Sequence, residues 1–112
     1  MKKPRVTYDT VRELGLALPG AEESTSYGAP ALKVKGKLFV RLHQDLDKIV
    51  LPVSFERREE MMSADPETYF ITDHYRKYPY LLVSLARVQP EALPDLLNLA
   101  YRTALKPKKR RV

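Results

Sequence analysis

Between residues 31 and 43 the apolar side chains Leu32, Val34, Leu38, Val40 and Leu42 stand at even positions, and Lys33, Lys35, Lys37, Arg41 and His43 at odd ones. Strict alternation of this kind predicts two strands that bury one face and wet the other. Gly36 marks the turn between them. A two-residue turn at Lys35-Gly36 would pair Val34 with Lys37 and mix the faces. A three-residue loop over residues 35–37 pairs Val34 with Leu38, keeps the faces clean, and is the register expected. Phe39 is then an apolar exception on the outer face, to be covered by another element.

A different spacing governs the C-terminal third. Leu93, Leu96, Leu97, Ala100, Tyr101 and Ala104 recur at helical intervals and form the clearest amphipathic stripe in the chain. Each buried leucine there contributes about 1.5–3 kcal/mol, so this helix is expected to be essential to the core. Pro90 suits its first turn, Pro94 must also lie near its start, and Lys106-Pro107 ends it. Near the N-terminus, Val11, Leu14 and Leu18 repeat at helical spacing after Thr7, an expected cap, with Val6 and Val11 placed as a hydrophobic staple and Asp9 in the first turn. Pro19-Gly20 stops that helix.

The remaining elements follow from composition. Residues 22–27, rich in Ser and Thr, predict an exposed edge strand, and Gly28-Ala29-Pro30 a turn. Residues 48–53 predict a third core strand, with Pro52 placing its end at an edge. Ser54 caps a predicted helix over 55–63, where Glu56 and either Glu59 or Glu60 can face Arg57 and Arg58, while Met61 and Met62 supply apolar bulk. Residues 68–72 predict a short strand, 73–79 an irregular aromatic and charged connection, and 80–88 a long strand. This order implies an α+β fold: a two-layer sandwich with a mostly antiparallel sheet and helices packed on one face.

Composition narrows the chemistry. At 112 residues the chain fits one domain. It holds no cysteine, which removes disulfides, thiolate catalysis and cysteine-ligated metals and suits a cytoplasmic compartment. No apolar run approaches the roughly 20 residues of a membrane span, so no membrane partner is expected. The net charge of +6 is unevenly distributed. Eight of the 20 cations lie in residues 2–5 and 106–111, leaving 12 cations against 14 carboxylates elsewhere. The expected organisation is therefore a basic arm over residues 1–6, a folded domain over 7–105 and a basic tail over 106–112.

With the elements placed, the run LPGAEESTSYGAPALKVKGKLF resembles the signature of the MmcQ/YjbR family: a helix end, Pro-Gly-Ala-Glu-Glu, a Gly/Pro turn, and a hairpin matched by Val34, Gly36, Lys37 and Phe39. TDHYRKYPYLLVSL is similar to the second block of one branch, and LPDLLNLAYRTAL resembles the closing helix. The likeness spans roughly residues 7 to 105. It implies a compact sandwich similar to bacterial secretion chaperones, in a family commonly labelled DNA-binding whose biochemical function is poorly defined. Another branch carries an Asn-Lys-x-His-Trp block where this chain reads YRKYPY, so nothing that depends on its tryptophan transfers. The resemblance supplies no catalytic residues.

Candidate sites are few. Glu22 and Glu23 point to opposite faces of a strand and cannot converge on one atom. His43, His74 and Asp73 lack a third-ligand pattern for a metal. Ser24 and Ser26 sit in no nucleophile elbow, and the four glycines form no phosphate loop. No catalytic constellation, metal or cofactor is expected. Residues 73–80, DHYRKYPY, interleave cations with aromatics, which suits phosphates and stacked bases. The alternative, and the preferred one, is a structural lid whose tyrosines cover the sheet while Arg76 and Lys77 stay in water. The tail KPKKRRV reads as a phosphate-attracting arm or a solvated tail; a nuclear-localisation role is improbable in a mainly bacterial family.

Two function classes follow. The first is non-specific, salt-sensitive DNA binding through Lys33, Arg41, Arg76 and Lys77 together with Lys106, Lys108, Lys109, Arg110 and Arg111. The second is a chaperone-like or protein-interaction domain without catalysis, a monomer or weak dimer that binds a protein partner through a sheet face or edge.

Overall fold

The computed structural model describes residues 6–43 and 47–106. Its elements run α1 (Tyr8–Leu16), β1 (Ala21–Ser26), β2 (Ala29–Val34), β3 (Lys37–Leu42), β4 (Lys48–Pro52), α2 (Phe55–Ala64), β5 (Tyr69–Phe70), β6 (Tyr80–Ser84) and α3 (Leu93–Leu105), with 3-10 turns at Asp73–Tyr75 and Pro90–Ala92. The strands form one six-stranded sheet in the order β1-β2-β3-β4-β6-β5. Every pairing is antiparallel. The fold is α+β, as expected, with β1 at one edge.

α1 and α3 cover one face of the sheet. Leu32, Val34, Phe39, Val40, Ile49, Leu51, Leu81 and Val83 meet Val11, Leu93, Leu96, Leu97 and Ala100 there in one buried cluster. The stripe read from the sequence is thus the buried face of α3. Gly15 in α1 lies so close to the sheet that a Cβ there would stand 2.4 Å from Leu32 Cδ1. Thr7 occupies the cap position of α1, but its hydroxyl makes no cap bond. The Ser54 hydroxyl does cap α2, accepting from the Arg57 backbone N–H at 3.1 Å.

Both hairpin turns differ from expectation. Val34 pairs with Lys37, so the β2–β3 turn has two residues, Lys35 and Gly36. Their φ values of 52° and 77° give the left-handed turn whose twist matches the flanking strands. Next to the turn the faces mix, with Val34 opposite Lys37 and Lys33 opposite Leu38, but the register then shifts to set Leu32 opposite Val40, which leaves Phe39 as a bulge residue and restores the apolar match beyond it. At such a bulge two successive side chains share a side. Phe39 therefore joins Val40 under the helices, fully buried and edge-on to Tyr101 at 5.6 Å. Leu38 is turned to the opposite face.

The β1–β2 turn is likewise two residues, Tyr27 and Gly28, at φ 53° and 78°. Ala29 and Pro30 belong to β2. Pro30 is tolerated because pairing with β3 begins only at Ala31. β4 is internal, and Pro52 is accommodated because pairing with β3 stops at Val50. The strand expected over 80–88 ends at Ser84.

A candidate anion-binding cleft on the open sheet face

Alternation along the inner strands sends a second set of side chains to the face that α1 and α3 leave uncovered. Val50 and Leu82 point there and are buried beneath Tyr75, with Phe70, Ile71 and Tyr80 around them. Tyr75 comes from the 3-10 turn after β5, so residues 73–79 fold over this face as a lid. His74 meets Tyr75 edge-on at 4.8 Å, and Tyr75 meets Tyr80 at 6.1 Å. The lid reading of this segment holds: Tyr75 is buried while Arg76 and Lys77 are exposed.

The lid is fixed from below by a residue that the sequence reading set against the glutamates of its own helix. Arg58 of α2 is only 5% exposed. Its Nη1 donates to the carbonyls of Tyr75, Tyr78 and Tyr80 at 3.1, 2.6 and 3.2 Å, and its Nη2 to that of Arg76 at 3.1 Å. The Phe55 ring covers the guanidinium at 4.8 Å. One cation thus ties together four carbonyls of a segment with little regular structure of its own; those of Tyr75 and Tyr78 also accept the backbone N–H groups of Tyr78 and Tyr80. The available signal was its position: Arg58 lies three and four residues before Met61 and Met62, on the inward side of α2. Arg57, by contrast, pairs with Glu60 at 3.4 Å on the exposed side, as expected.

Beside the lid lies a cleft of about 310 Å³ lined by Ser26, Tyr27, Leu38, Arg41, Val50, His74 and three tyrosines of the lid region. A second depression shares Tyr27, Arg41, His74 and Tyr75 and adds Ala29, His43 and Thr72. Among the described residues neither is lined by a carboxylate. Arg41 forms the floor. It is 8% exposed, flanked on β2 and β4 by the apolar Ala31 and Val50, and one Nη2 donates to the Tyr75 hydroxyl. The Tyr27 ring stands over its guanidinium at 5.6 Å. Among the described residues no carboxylate pairs with Arg41. A guanidinium has five N–H donors, and the Tyr75 hydroxyl engages only one of its nitrogens.

The other expected cations are placed differently. Lys33 shares the open face, since Leu32 and Val34 on either side point to the helices. Glu22 stands directly across from it on β1 and offsets its charge. Glu23 faces the other way, toward Arg12 of α1 at 3.2 Å, as strand alternation requires. Arg76 lies on the lid and is paired with Asp73 at 2.5 Å in solvent. Lys77 is exposed on the same segment. Lys106 follows α3 in the helical layer, on the opposite side of the sheet. Lys108, Lys109, Arg110 and Arg111 lie outside the described residues. The fold therefore brings Lys33, Arg41, Arg76 and Lys77 to one face and starts the basic tail from the other.

His43 and His74, distant in sequence, meet at the second depression. Among the described residues no three His, Cys, Asp or Glu side chains are grouped to hold a metal. Among the described residues no helix is long and apolar enough to cross a membrane.

The family follows from the length of the match. The YjbR family model covers residues 16–103, which takes in every strand, the lid and the body of α3. The chain belongs to the YjbR family. The same fold appears in the crystal structure of Deinococcus radiodurans protein DR2400, with family-model domain DUF419, which is 27% identical with a TM-score of 0.73 over 90% of this chain and 80% of that one. No curated protein matches the chain. YjbR membership settles the fold and leaves the ligand to the site. One residue of this YjbR cleft escaped the sequence reading as a functional candidate: Tyr27, read as a strand end, is 95% exposed beside Arg41. Tyr78, from the segment that interleaves cations with aromatics, is 55% exposed on the same cleft. Exposed tyrosines in a turn carry no sequence signature of their own; the signal is the left-handed φ of Tyr27, visible only once the hairpin is built.

Proposed function

We propose that this YjbR protein binds nucleic acid non-specifically through the open face of its sheet, with the basic tail adding long-range attraction. The observation that carries the reading is a buried Arg41 with no carboxylate partner among the described residues, set between exposed tyrosines in a cleft that no described carboxylate lines. A guanidinium fork matches a phosphate, and tyrosine rings stack on bases whatever their sequence. Lys33, Arg76 and Lys77 surround that centre, although Glu22 and Asp73 reduce what Lys33 and Arg76 contribute. The activity is binding, without catalysis.

Fluorescence anisotropy of a labelled oligonucleotide tests this. Five tail cations, if each neutralises one phosphate, give a log–log salt slope of about −4.5, equal to roughly 500-fold between about 50 and 200 mM salt. Removing residues 106–112 should flatten the slope by that amount and leave a weaker residual affinity held by the cleft. Absence of any binding at low salt would refute the proposal.

A further inference from the structure

We infer that the cleft receives one unpaired nucleotide, its phosphate on Arg41 and its base against Tyr27 or Tyr78, so that single strands are bound in preference to duplexes. The inference rests on the nucleic-acid reading above and names the form of nucleic acid that the same site takes.

The electrostatics ask for an anion at a defined point. Arg41 is more than nine-tenths buried, and its one hydrogen-bond partner among the described residues is the neutral Tyr75 hydroxyl. Removing a guanidinium from water without a counter-charge is costly, and an incoming phosphate relieves that cost while occupying the free N–H groups. The body of the chain carries more carboxylates than cations, yet among the described residues none lines either depression around Arg41. A surface cation pairs with whatever approaches; a recessed one admits only a group narrow enough to reach it.

Shape selects the strand form. A cleft of about 310 Å³ lies at the small end of ligand sites, where one nucleotide rather than a rod-like duplex can descend to the floor. In a duplex the bases are stacked and their faces hidden, whereas an unpaired nucleotide can be splayed out onto an aromatic side chain. Tyr27 presents such a surface at a position where its backbone would be better served by glycine or asparagine: φ is 53°, at the tip of a hairpin, with the ring 95% exposed. Tyr78 stands across the cleft on a loop whose carbonyl Arg58 holds at 2.6 Å. The platform is thereby held in place before anything binds.

The test uses the full chain with a labelled single strand, the same sequence as a duplex, and three competitors: adenosine monophosphate, adenosine and inorganic phosphate. Expected are tighter binding of the single strand by about tenfold or more, and displacement by the monophosphate at lower concentration than by either fragment. Tyr27→Gly, which removes the ring and relieves the left-handed backbone, should weaken the single strand by about tenfold and the duplex hardly at all. Tyr78→Ala should act in the same direction, and Arg41→Lys should lose the advantage of the monophosphate over adenosine. Equal affinity for both forms, unchanged by Tyr27→Gly, would overturn this inference and leave the broader one standing. Displacement by inorganic phosphate as effective as by the monophosphate would assign a bare anion site and also overturn it. Failure to bind either form at low salt would overturn both.

Discussion

The two faces of the sheet are built from the same strands and finished in opposite ways. On the helical side, neighbouring strand residues such as Ile49, Leu51, Leu81 and Val83 meet leucines of α3, and aliphatic packing is continuous. On the other side Val50, Leu82 and Tyr75 make a small apolar patch that gives way to Arg41 and a ring of tyrosines. The first face is closed because both partners are apolar and fully buried. The second holds a charge that the protein itself leaves without an opposite charge among the described residues. Stability and binding are thus divided between faces, and Arg58 links them: it emerges from α2, whose Met61 and Met62 join the helical-side cluster, and secures the lid of the open face.

That division makes graded predictions. Leu51→Ala on the closed face should cost about 2–5 kcal/mol in chemical denaturation, while the folded fraction keeps its affinity for oligonucleotide. A loss of affinity beyond that caused by unfolding would mean that the faces are coupled. Arg58→Met should destabilise by about 2–4 kcal/mol, since it removes the four charge-assisted hydrogen bonds that tie the lid to α2, and it should also weaken binding by loosening Tyr78. Faster amide exchange over residues 75–80 would show the loosening directly. Gly15→Ala gains helix propensity but forces its Cβ against Leu32; the clash should win, for a net loss of about 1–3 kcal/mol with binding unchanged.

The smallest effect concerns Tyr8, also on the closed side. Burial, reinforced by the negative charge of Glu23 and opposed by Arg12, pushes its phenol up from 10.0 to about 12. The unfolded chain therefore ionises this group first, so its contribution is intact below about pH 10 and is lost as pH rises from about 10 to about 12. Among the described residues the hydroxyl has no hydrogen-bond partner. Tyr8→Phe should change stability at neutral pH by no more than about 1 kcal/mol and remove part of the alkaline loss, measurable as a flatter denaturation midpoint across that window.

What the sequence disclosed depended on whether the deciding interaction was local. The α3 stripe was plain because six residues repeat along one helix face. Arg41 was recognisable as an outward residue because its odd position survives the bulge. The bulge itself was hidden: Leu38 and Val40 alternate like a regular strand, and only cross-strand register reveals that Phe39 is the extra residue and Leu38 the one turned outward. Arg58 was concealed in a run of charges, FERREE, where one arginine pairs with Glu60 in solvent and its neighbour is buried under a loop some 20 residues away. The cleft was beyond reach for the same reason. Tyr27, Arg41 and His74 come from a hairpin tip, a strand and a lid that meet only in the folded sheet.

The central claim is that Arg41 is held ready for an anion. Nuclear magnetic resonance of the 15N-labelled full chain titrated with adenosine monophosphate tests it most directly. The account predicts saturable movement of the Arg41 Nε–Hε resonance together with the amides of Tyr27, His74 and Tyr78, and little change along α3. Perturbations confined to the basic tail, with Arg41 unmoved, would contradict it.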